Sequence, residues 1–422
     1  MQFKRNTLSA LCATALFGLG QFAAAPGHAT VLVQCPGDTN QDATWTGDEV
    51  KPANTKCMHL MAGDGFAKMA DGKILYTFGF SDFTGTPAAK ATELGILSAT
   101  TPAPTIELSE GEKFYLTVTN VGMVMRPDLF DPHTVHFHGY PNQAPVFDGL
   151  PEASFGVNMG GSLSYFFNVT EPGTYMYHCH MEATEHMQMG MLGNLYVHPK
   201  QNGMSKTHAG KIFTRFAYND GDGSTGYDKS FPLQLGSFDG AFHDASFNVQ
   251  PLPFVSMSST YTFINGRGYP DTVNTDADAM KFQNADAPDP TRLFNTQTMH
   301  SLIQANVGER VLLRLSNLSV TDFFTVTALG LPPMRVVGGG AHIARGPVAA
   351  DNIGPVAGLD TSYETGSVTL GGGEAADVLI DTTGVLPGTY FLYTTNLNFL
   401  SNDQEDVGGM MTEIVITPAP AP

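Results

Sequence analysis

GTYMYHCHMEATEHMQMGM, residues 173–191, places three histidines, one cysteine and five methionines in a single short stretch. Successive side chains of a β-strand point to opposite faces of the sheet. His178 and His180 therefore share one face, and Cys179 points to the other. An unpaired thiol is reactive in an oxidising compartment, whereas a metal-bound thiolate is stable there. The stretch predicts a strand that carries metal ligands on both faces.

A second motif, DPHTVHFHGY at residues 131–140, has the same alternation. His136 and His138 share a face, and His133 has the opposite parity. Two groups follow. His133 and Cys179 can meet inside a sandwich, and a second set can meet outside it: His136, His138, His178 and His180.

The inner group gains two further ligands from the loop after Cys179. This loop brings His186 and then Met191 back toward the cysteine. Two imidazoles, one thiolate and a weak axial thioether are typical of a blue-copper electron-transfer site. The four outer imidazoles suit copper in a water-accessible, oxygen-binding role. Because Cys179 is bonded to a histidine on each side, an electron could pass from one site to the other.

The rest of the chain predicts an all-β sandwich or barrel, because short Val, Ile, Thr, Tyr and Phe runs alternate with Gly and Pro turns. Three segments also recur in the same order, which predicts two β domains of common origin. The pairs are 108–120 with 305–317, 171–180 with 386–395, and 189–199 with 408–418. We expect an N-terminal segment at 30–57, a first domain at 58–200, a linker with first strands at 201–258, a second domain at 259–418 and a disordered tail at 419–422.

Residues 1–29 resemble a secretory signal peptide, with Lys4 and Arg5 before a short apolar run and small residues at the end. No later stretch is long and apolar enough to span a membrane. We therefore expect an exported protein, periplasmic or extracellular, in which Cys35 and Cys57 form a disulfide. Without residues 1–29 the chain has 19 basic and 40 acidic residues, a net charge of −21, which disfavours nucleic acid and anionic lipid as partners.

The motifs HxxHxHG and HCH with the later His…Met resemble those of the multicopper oxidases. The resemblance covers both halves of the chain and implies two tandem cupredoxin-like Greek-key β-sandwich domains with copper as cofactor. In that family, residues that match His133, Cys179, His186 and Met191 bind a type 1 copper. Those that match the outer histidines supply half of the eight that hold a trinuclear cluster, where molecular oxygen is reduced to water. VFDGLPEAS (146–154) resembles the family's proton-relay segment, which makes Asp148 the catalytic candidate.

The sequence departs from the family pattern in two places. Cys179 and His186 are seven residues apart, where the family usually has five. In the second domain every ligand position is replaced, by Phe324, Thr327, Leu329, Tyr393, Thr394 and Thr395, and Met410 is expected to be a core residue. A complete cluster would therefore need a second copy of the chain, which predicts a homo-oligomer.

Three functions stay open at this stage. The first is an oxidase that takes electrons from a small reductant, a phenol or a metal ion such as Fe(II), Mn(II) or Cu(I). The second is an exported blue-copper electron carrier or copper-handling protein, and the third is a nitrite-reductase-like enzyme. They differ in copper content, at four, one and two per functional site respectively.

Several side chains near the motifs have two interpretations. Glu182 and Glu185 either dock a cationic reductant or form a solvated loop. For four methionines, packing in the core or at its rim is favoured over a Cu(I)-binding site. They are Met176, Met181, Met187 and Met189. Surface or capping positions are expected for His198, His208, His243, His300 and His342.

Overall fold

The computed structural model describes residues 32–141, 144–345 and 359–420. The predicted signal peptide lies outside these residues, as do the last two residues of the predicted tail. In the described part of the chain, every helix is too short or too polar to cross a membrane.

The described chain is mostly β-structure. Its strands are β1 Thr55–Lys68, β2 Ile74–Asp82, β3 Ala103–Ser109, β4 Lys113–Gly122, β5 His136–His138, β6 Ser162–Asn168, β7 Gly173–His178, β8 Leu192–His198, β9 Lys206–His208, β10 Lys211–Phe213, β11 Lys229–Phe238, β12 Tyr261–Ile264, β13 Ile303–Asn306, β14 Arg310–Asn317, β15 Phe324–Leu329, β16 Met334–Gly339, β17 His342–Ile343, β18 Tyr363–Thr365, β19 Ser367–Leu370, β20 Ala375–Asp381, β21 Gly388–Thr394 and β22 Met411–Thr417. Its α-helices are α1 Ala88–Gly95, α2 Ala183–Met189 and α3 Gly240–Phe247. Short 3-10 turns lie at Pro145–Phe147, Phe254–Ser256, Asp271–Val273, Ala277–Met280 and Leu397–Phe399.

The strands form two sandwiches and a small hairpin. The first sandwich packs the sheet β2-β1-β4-β6 against the sheet β3-β8-β7-β5. The second packs β12-β11-β14-β20-β16-β17, with β18 beside β16, against β13-β22-β21-β15-β19. Strands β9 and β10 pair only with each other. The all-β, two-domain prediction is confirmed, and the region 201–258 contributes β11 to the second sandwich.

The internal repeat appears in the strand pairing. Parallel pairs β1–β4 and β3–β8 of the first sandwich correspond to β11–β14 and β13–β22 of the second. His136 lies opposite His178 in the first sandwich, and Thr327 lies opposite Tyr393 in the second. This register is the one that the sequence alignment of the two halves predicts. Met410 is buried in the second core, as expected.

Strand β7 is buried along its whole length, because each of its faces packs against a different layer. Tyr175 and Tyr177 point into the first core. On the other face the Thr174 hydroxyl donates to Asp377 of the second sandwich at 2.7 Å, and Met176 packs with Leu318 and Ala375. By parity, the outer histidines continue the face that contacts the second sandwich.

The N-terminal segment is joined to β1 by the predicted disulfide. The sulfurs of Cys35 and Cys57 are 2.08 Å apart, and both residues are buried with Met61 and Ala91 in a small separate cluster. The remaining described cysteine, Cys179, is free and buried.

Candidate metal centre

The inner group assembles inside the first sandwich, in the arrangement that strand parity predicts. The Sγ atom of Cys179 lies 3.2 Å from Nδ1 of His186 and 3.9 Å from Nδ1 of His133. All three side chains are fully buried. Metal–sulfur and metal–nitrogen bonds of about 2.3 and 2.0 Å place such atoms about 3.5 Å apart when they share one tetrahedral ion. The spacing therefore fits a single metal ion.

The turn after α2 returns the chain to Cys179. The Gly190 N–H donates to the His186 carbonyl at 3.1 Å, with φ at +118°. A Cβ at Gly190 would lie 2.8 Å from the Phe78 carbonyl oxygen, so the turn requires glycine. Met191 then accepts the Cys179 N–H at its carbonyl, 3.1 Å away, and its side chain is fully buried in the first core. Met191 thus lies beside Cys179 along the chain fold.

The Cys179 sulfur is surrounded by a backbone N–H and by the two imidazoles. The Thr134 N–H points at Sγ of Cys179 from 3.4 Å. Burial alone lowers the pKa of His186, but the charges of Cys179 and Asp131 outweigh burial and raise that pKa to about 10. Burial, with the nearby His186 charge, holds the pKa of His133 well below its usual range. A metal cation bound to the thiolate would displace the proton that His186 otherwise holds.

The donor set identifies the metal class. A thiolate, two imidazole Nδ1 atoms and a neighbouring methionine form a soft, low-coordinate set that suits copper in electron transfer. A hard cation such as Mg²⁺ or Ca²⁺ prefers oxygen ligands instead. The residues present therefore fit copper.

The outer histidines gather on the opposite side of β5 and β7. His136 lies 5.2 Å from His180 and 5.4 Å from His178, measured between ring centroids, and His138 is 5.7 Å from His178. The Nδ1 atom of His136 donates to the Asp148 carbonyl at 2.7 Å, and that of His178 donates to the Cys179 carbonyl at 2.9 Å. In both rings Nε2 keeps the lone pair that a metal needs.

Two of these rings are held neutral. Burial, with smaller contributions from neighbouring histidines, lowers the pKa of His178 to about 3. Burial and the charges of His136 and His180 also lower the pKa of His138. Both are therefore available as ligands at neutral pH.

The outer nitrogens do not converge on one point. Within the described residues, two groups of three His, Cys, Asp or Glu side chains bring one ligand atom each within 4.8 Å of one another. One is the inner trio, and the other is Asp131, Glu182 and His186. The outer histidines form no such group, so one face alone does not enclose a metal ion with three of its nitrogens.

Asp148 lies beside the outer group. Its Oδ1 atom is 3.5 Å from Nδ1 of His136, and its side chain is about one quarter exposed. The placement links solvent to His136, and the proton-relay role stays a prediction.

The methionines of residues 173–191 agree with the packing interpretation. Met176 and Met189 are buried, and Met181 and Met187 are partly buried against apolar clusters. Their thioethers are therefore occupied with packing and form no exposed patch.

The sequence patterns did not identify three residues that lie near the site. The Oδ2 atom of Asp131 lies 3.7 Å from Nε2 of His186, and its position two residues before His133 was an available signal. An added Cβ on Gly373 of the second sandwich would lie 2.5 Å from Cε1 of His138. His243, expected at the surface or at a cap, is instead fully buried and contacts α2, because helix α3 packs into the first core. The expected surface position was wrong, whereas the contact with the Gln188 carbonyl, in the last turn of α2, is of the capping kind.

Comparison with known proteins agrees with this geometry. A model of the multicopper oxidase family matches residues 83–202, which contain every inner and outer ligand candidate. The first domain is therefore similar to the multicopper oxidase family. Its members are copper-dependent oxidoreductases. The multicopper oxidase MmcO of Mycobacterium tuberculosis is 35% identical over 82 residues, which are 19% of this chain and 15% of that protein. The chain matches less than a fifth of the length of its curated relatives.

Solved structures extend the similarity to the whole fold. The blue copper oxidase from Nitrosomonas europaea superposes with a TM-score of 0.60 at 20% identity, over 86% of each chain. A copper nitrite reductase from the same organism gives 0.52 at 16% identity, over 86% of this chain and 94% of that one. These similarities concern the two-domain cupredoxin fold, not the reaction.

Proposed function

We propose that this protein is a copper-dependent oxidase of the multicopper oxidase type. A reduced substrate gives electrons at the inner site, formed by His133, Cys179, His186 and Met191, and oxygen is reduced at the outer histidines. The observation that supports this most is Cys179 itself. It belongs to the inner trio, and the peptide bonds on its two sides lead directly to His178 and His180 of the outer group.

Copper at the inner site would accept one electron at a time, and copper at the outer site would supply electrons to oxygen. The chain's own residues set the route. The His178 Nδ1 donates to the Cys179 carbonyl at 2.9 Å, so a hydrogen bond shortens the covalent path from the thiolate to that ring. Asp148, beside His136 and partly exposed, delivers the protons that oxygen reduction consumes.

The entrance to the inner site favours a metal cation as the reductant. Nε2 of His186 is buried without a hydrogen-bond partner among the described residues and faces Asp131. The carboxylates of Asp131 and of the exposed Glu182 lie within 4.8 Å of each other and of a His186 ring nitrogen, so a cation held by the two carboxylates would lie next to the inner site. Carboxylate oxygens prefer harder cations, so Fe(II) or Mn(II) fits this entrance better than Cu(I) or a neutral phenol.

A full cluster requires a second copy of the chain. The positions of the second domain that correspond to the outer histidines carry Thr327, Leu329, Tyr393 and Thr395. We propose that the exposed part of the outer group, at His138, meets the same surface of a second subunit about a two-fold axis, because such an axis permits one surface to serve on both subunits. The disulfide between Cys35 and Cys57 supports an exported protein in an oxidising compartment.

The experiment is metal analysis, sedimentation and oxygen uptake on one copper-loaded sample with Fe(II) as reductant. We expect a dimer in which each chain has one inner copper and the pair shares an outer cluster, with oxygen consumption that depends on Fe(II). A coloured monomer with one copper and no oxygen uptake would contradict the oxidase.

That contradictory result would support the second candidate, an electron carrier. Its specific observation is that the described outer nitrogens do not converge on one ion. The nitrite-reductase-like alternative is less well supported, because His136 and His180 stand where those enzymes, by the same resemblance, lack histidines.

A further inference from the structure

His243 lies between the two halves of the molecule. It belongs to α3, which follows strand β11 of the second sandwich, yet the helix packs against the first. Phe242 is part of the first core, and the ring of Phe247 lies 5.5 Å from that of Tyr76. His243 is fully buried in this contact.

Both ring nitrogens of His243 face backbone carbonyl oxygens of the first domain. Nδ1 lies 2.6 Å from the carbonyl of Tyr76 on β2, and Nε2 lies 3.0 Å from the carbonyl of Gln188 on α2. A carbonyl only accepts, so each contact is a hydrogen bond only when the nitrogen carries a proton. The ring thus connects a core strand with the helix that carries His186.

The helix that carries His243 is itself held firmly. Asp239 caps it, accepting from Ala241 at 2.9 Å and from Phe242 at 3.3 Å. Arg126 of the first domain donates to the Ser246 carbonyl near the other end. The Phe238 ring lies 4.6 Å from the His243 ring, measured between centroids. The imidazole therefore has a fixed position from which to hold α2.

Gln188 is the critical point of contact, because it lies between two inner ligand candidates. His186 precedes it by two residues, and Met191 follows by three. The Gly190 and Met191 N–H groups both donate to the His186 carbonyl, at 3.1 and 2.8 Å. A hydrogen bond to the Gln188 carbonyl therefore restrains the whole turn between His186 and Met191.

We propose that His243 is a positioning residue, which donates from Nε2 to the Gln188 carbonyl and so holds His186 and Met191 in place around Cys179. The relevance to copper rests on the proposed function, but the hydrogen bond between His243 and Gln188 is a property of the metal-free chain. The second domain, which has lost its own ligand residues, would thereby shape the site in the first.

Protonation decides how many of the two bonds exist at once. Burial lowers the pKa of His243 to about 4, while the two carbonyls and the acidic Asp239 and Asp244 favour the charged ring. The neutral ring has one N–H and donates to one carbonyl, whereas the charged ring donates to both. The proposal requires the proton on Nε2.

A matched pair of substitutions separates the two bonds. The amide nitrogen of His243→Gln occupies roughly the place of Nε2 and can still donate to Gln188. That of His243→Asn occupies the place of Nδ1 and can reach only Tyr76. Both variants remove the imidazole and leave an amide, so they differ mainly in which contact is retained.

The first measurement is hydrogen exchange of the Gly190 and Met191 amides in the metal-free protein. We expect exchange at least about tenfold faster in His243→Asn than in wild type, the equivalent of one hydrogen bond, and near wild-type exchange in His243→Gln. Equal exchange in both variants and wild type would overturn the proposal.

The second measurement uses copper-loaded protein. The thiolate-to-copper absorption band and the reduction potential should shift in His243→Asn and return toward wild type in His243→Gln. An unshifted band in coloured His243→Asn would also overturn the proposal. A colourless wild type would refute the copper site alone, since the exchange data are collected without metal.

If His243→Asn does not fold, the protonation of the His243 ring in the wild-type protein tests the proposal instead. Nitrogen-15 NMR of histidine-labelled protein should show a slowly exchanging Nε2–H on His243. A ring protonated only at Nδ1 would overturn the proposal.

Discussion

The Nδ1 atom of His186 lies 3.2 Å from Sγ of Cys179, although His186 belongs to helix α2, which begins four residues after Cys179. The spacing of seven residues between Cys179 and His186, longer than the family pattern, does not move His186 away from the sulfur. It accommodates α2, and the turn at Gly190 then brings Met191 back beside Cys179. The residues between Cys179 and His186 include Glu182, whose carboxylate lies within 4.8 Å of ligand atoms of Asp131 and His186.

Cys179→Ser should remove the colour and all turnover, because a serine hydroxyl is not a thiolate ligand for copper. Absorption spectroscopy and oxygen uptake with Fe(II) test this. His208→Gln, on the separate β9–β10 hairpin, is the control and should keep both. A blue, active serine variant would show that Cys179 is not the ligand.

Asp131→Asn with Glu182→Gln should raise the KM for Fe(II) about tenfold, because a neutral amide attracts a cation less than a carboxylate. The ratio of kcat/KM for Fe(II) to that for a neutral phenol should fall accordingly. Steady-state oxygen uptake with each substrate provides the ratio. Asp48→Asn, an exposed carboxylate in the N-terminal segment, is the matched control. An unchanged ratio would place the entrance elsewhere.

Gly373→Ala should reduce copper at the outer site and leave the inner colour unchanged. The new methyl group would lie 2.5 Å from the His138 ring, at a backbone φ of +86° that suits glycine. Gly366→Ala is the control, because an added Cβ there meets nothing within 4 Å. Metal analysis with the absorption spectrum measures both sites. Full outer occupancy in the first variant would show that the turn at Gly373 does not control His138.

His59→Gln should flatten the dependence of stability on pH. Burial lowers the pKa of His59 to about 4, and its Nε2 lies 2.9 Å from the Thr119 hydroxyl, a contact that glutamine can keep. Between pH 6.5 and pH 4 the unfolded chain binds the proton that the folded chain excludes, so stability falls as the pH falls. Wild type should lose about 3 kcal/mol more unfolding free energy across this window than the variant.

Urea unfolding of metal-free protein at several pH values measures this difference. His208→Gln, a histidine-to-glutamine change on the separate β9–β10 hairpin, is measured in parallel as the matched substitution. Identical slopes for wild type and His59→Gln would mean that His59 keeps its proton in the fold.

Local patterns were sufficient to predict the two sandwiches and which of the histidines and Cys179 share a face of their strands. Parity alone separates Cys179 from His178 and His180, and the same rule separates His133 from His136. Register followed from the internal repeat, as the Thr327–Tyr393 pair shows.

Long-range packing was beyond such rules. His243 has no ligand spacing, and its contact with Gln188 depends on how α3 docks across the two halves. Gly373 likewise reaches His138 only because the second sandwich packs on the outer face of the first. No periodicity in the sequence encodes either contact.

The docking of α3 has a practical consequence for anyone who wishes to work with a smaller molecule. Phe242 fills the first core from a segment that lies beyond residue 200, and Phe282, Phe294 and Ala341 join the same core from still later positions. A fragment cut at the apparent domain boundary would carry every ligand candidate and yet lack part of its own interior. A minimal copper module derived from this chain would need a redesigned surface where those side chains now enter.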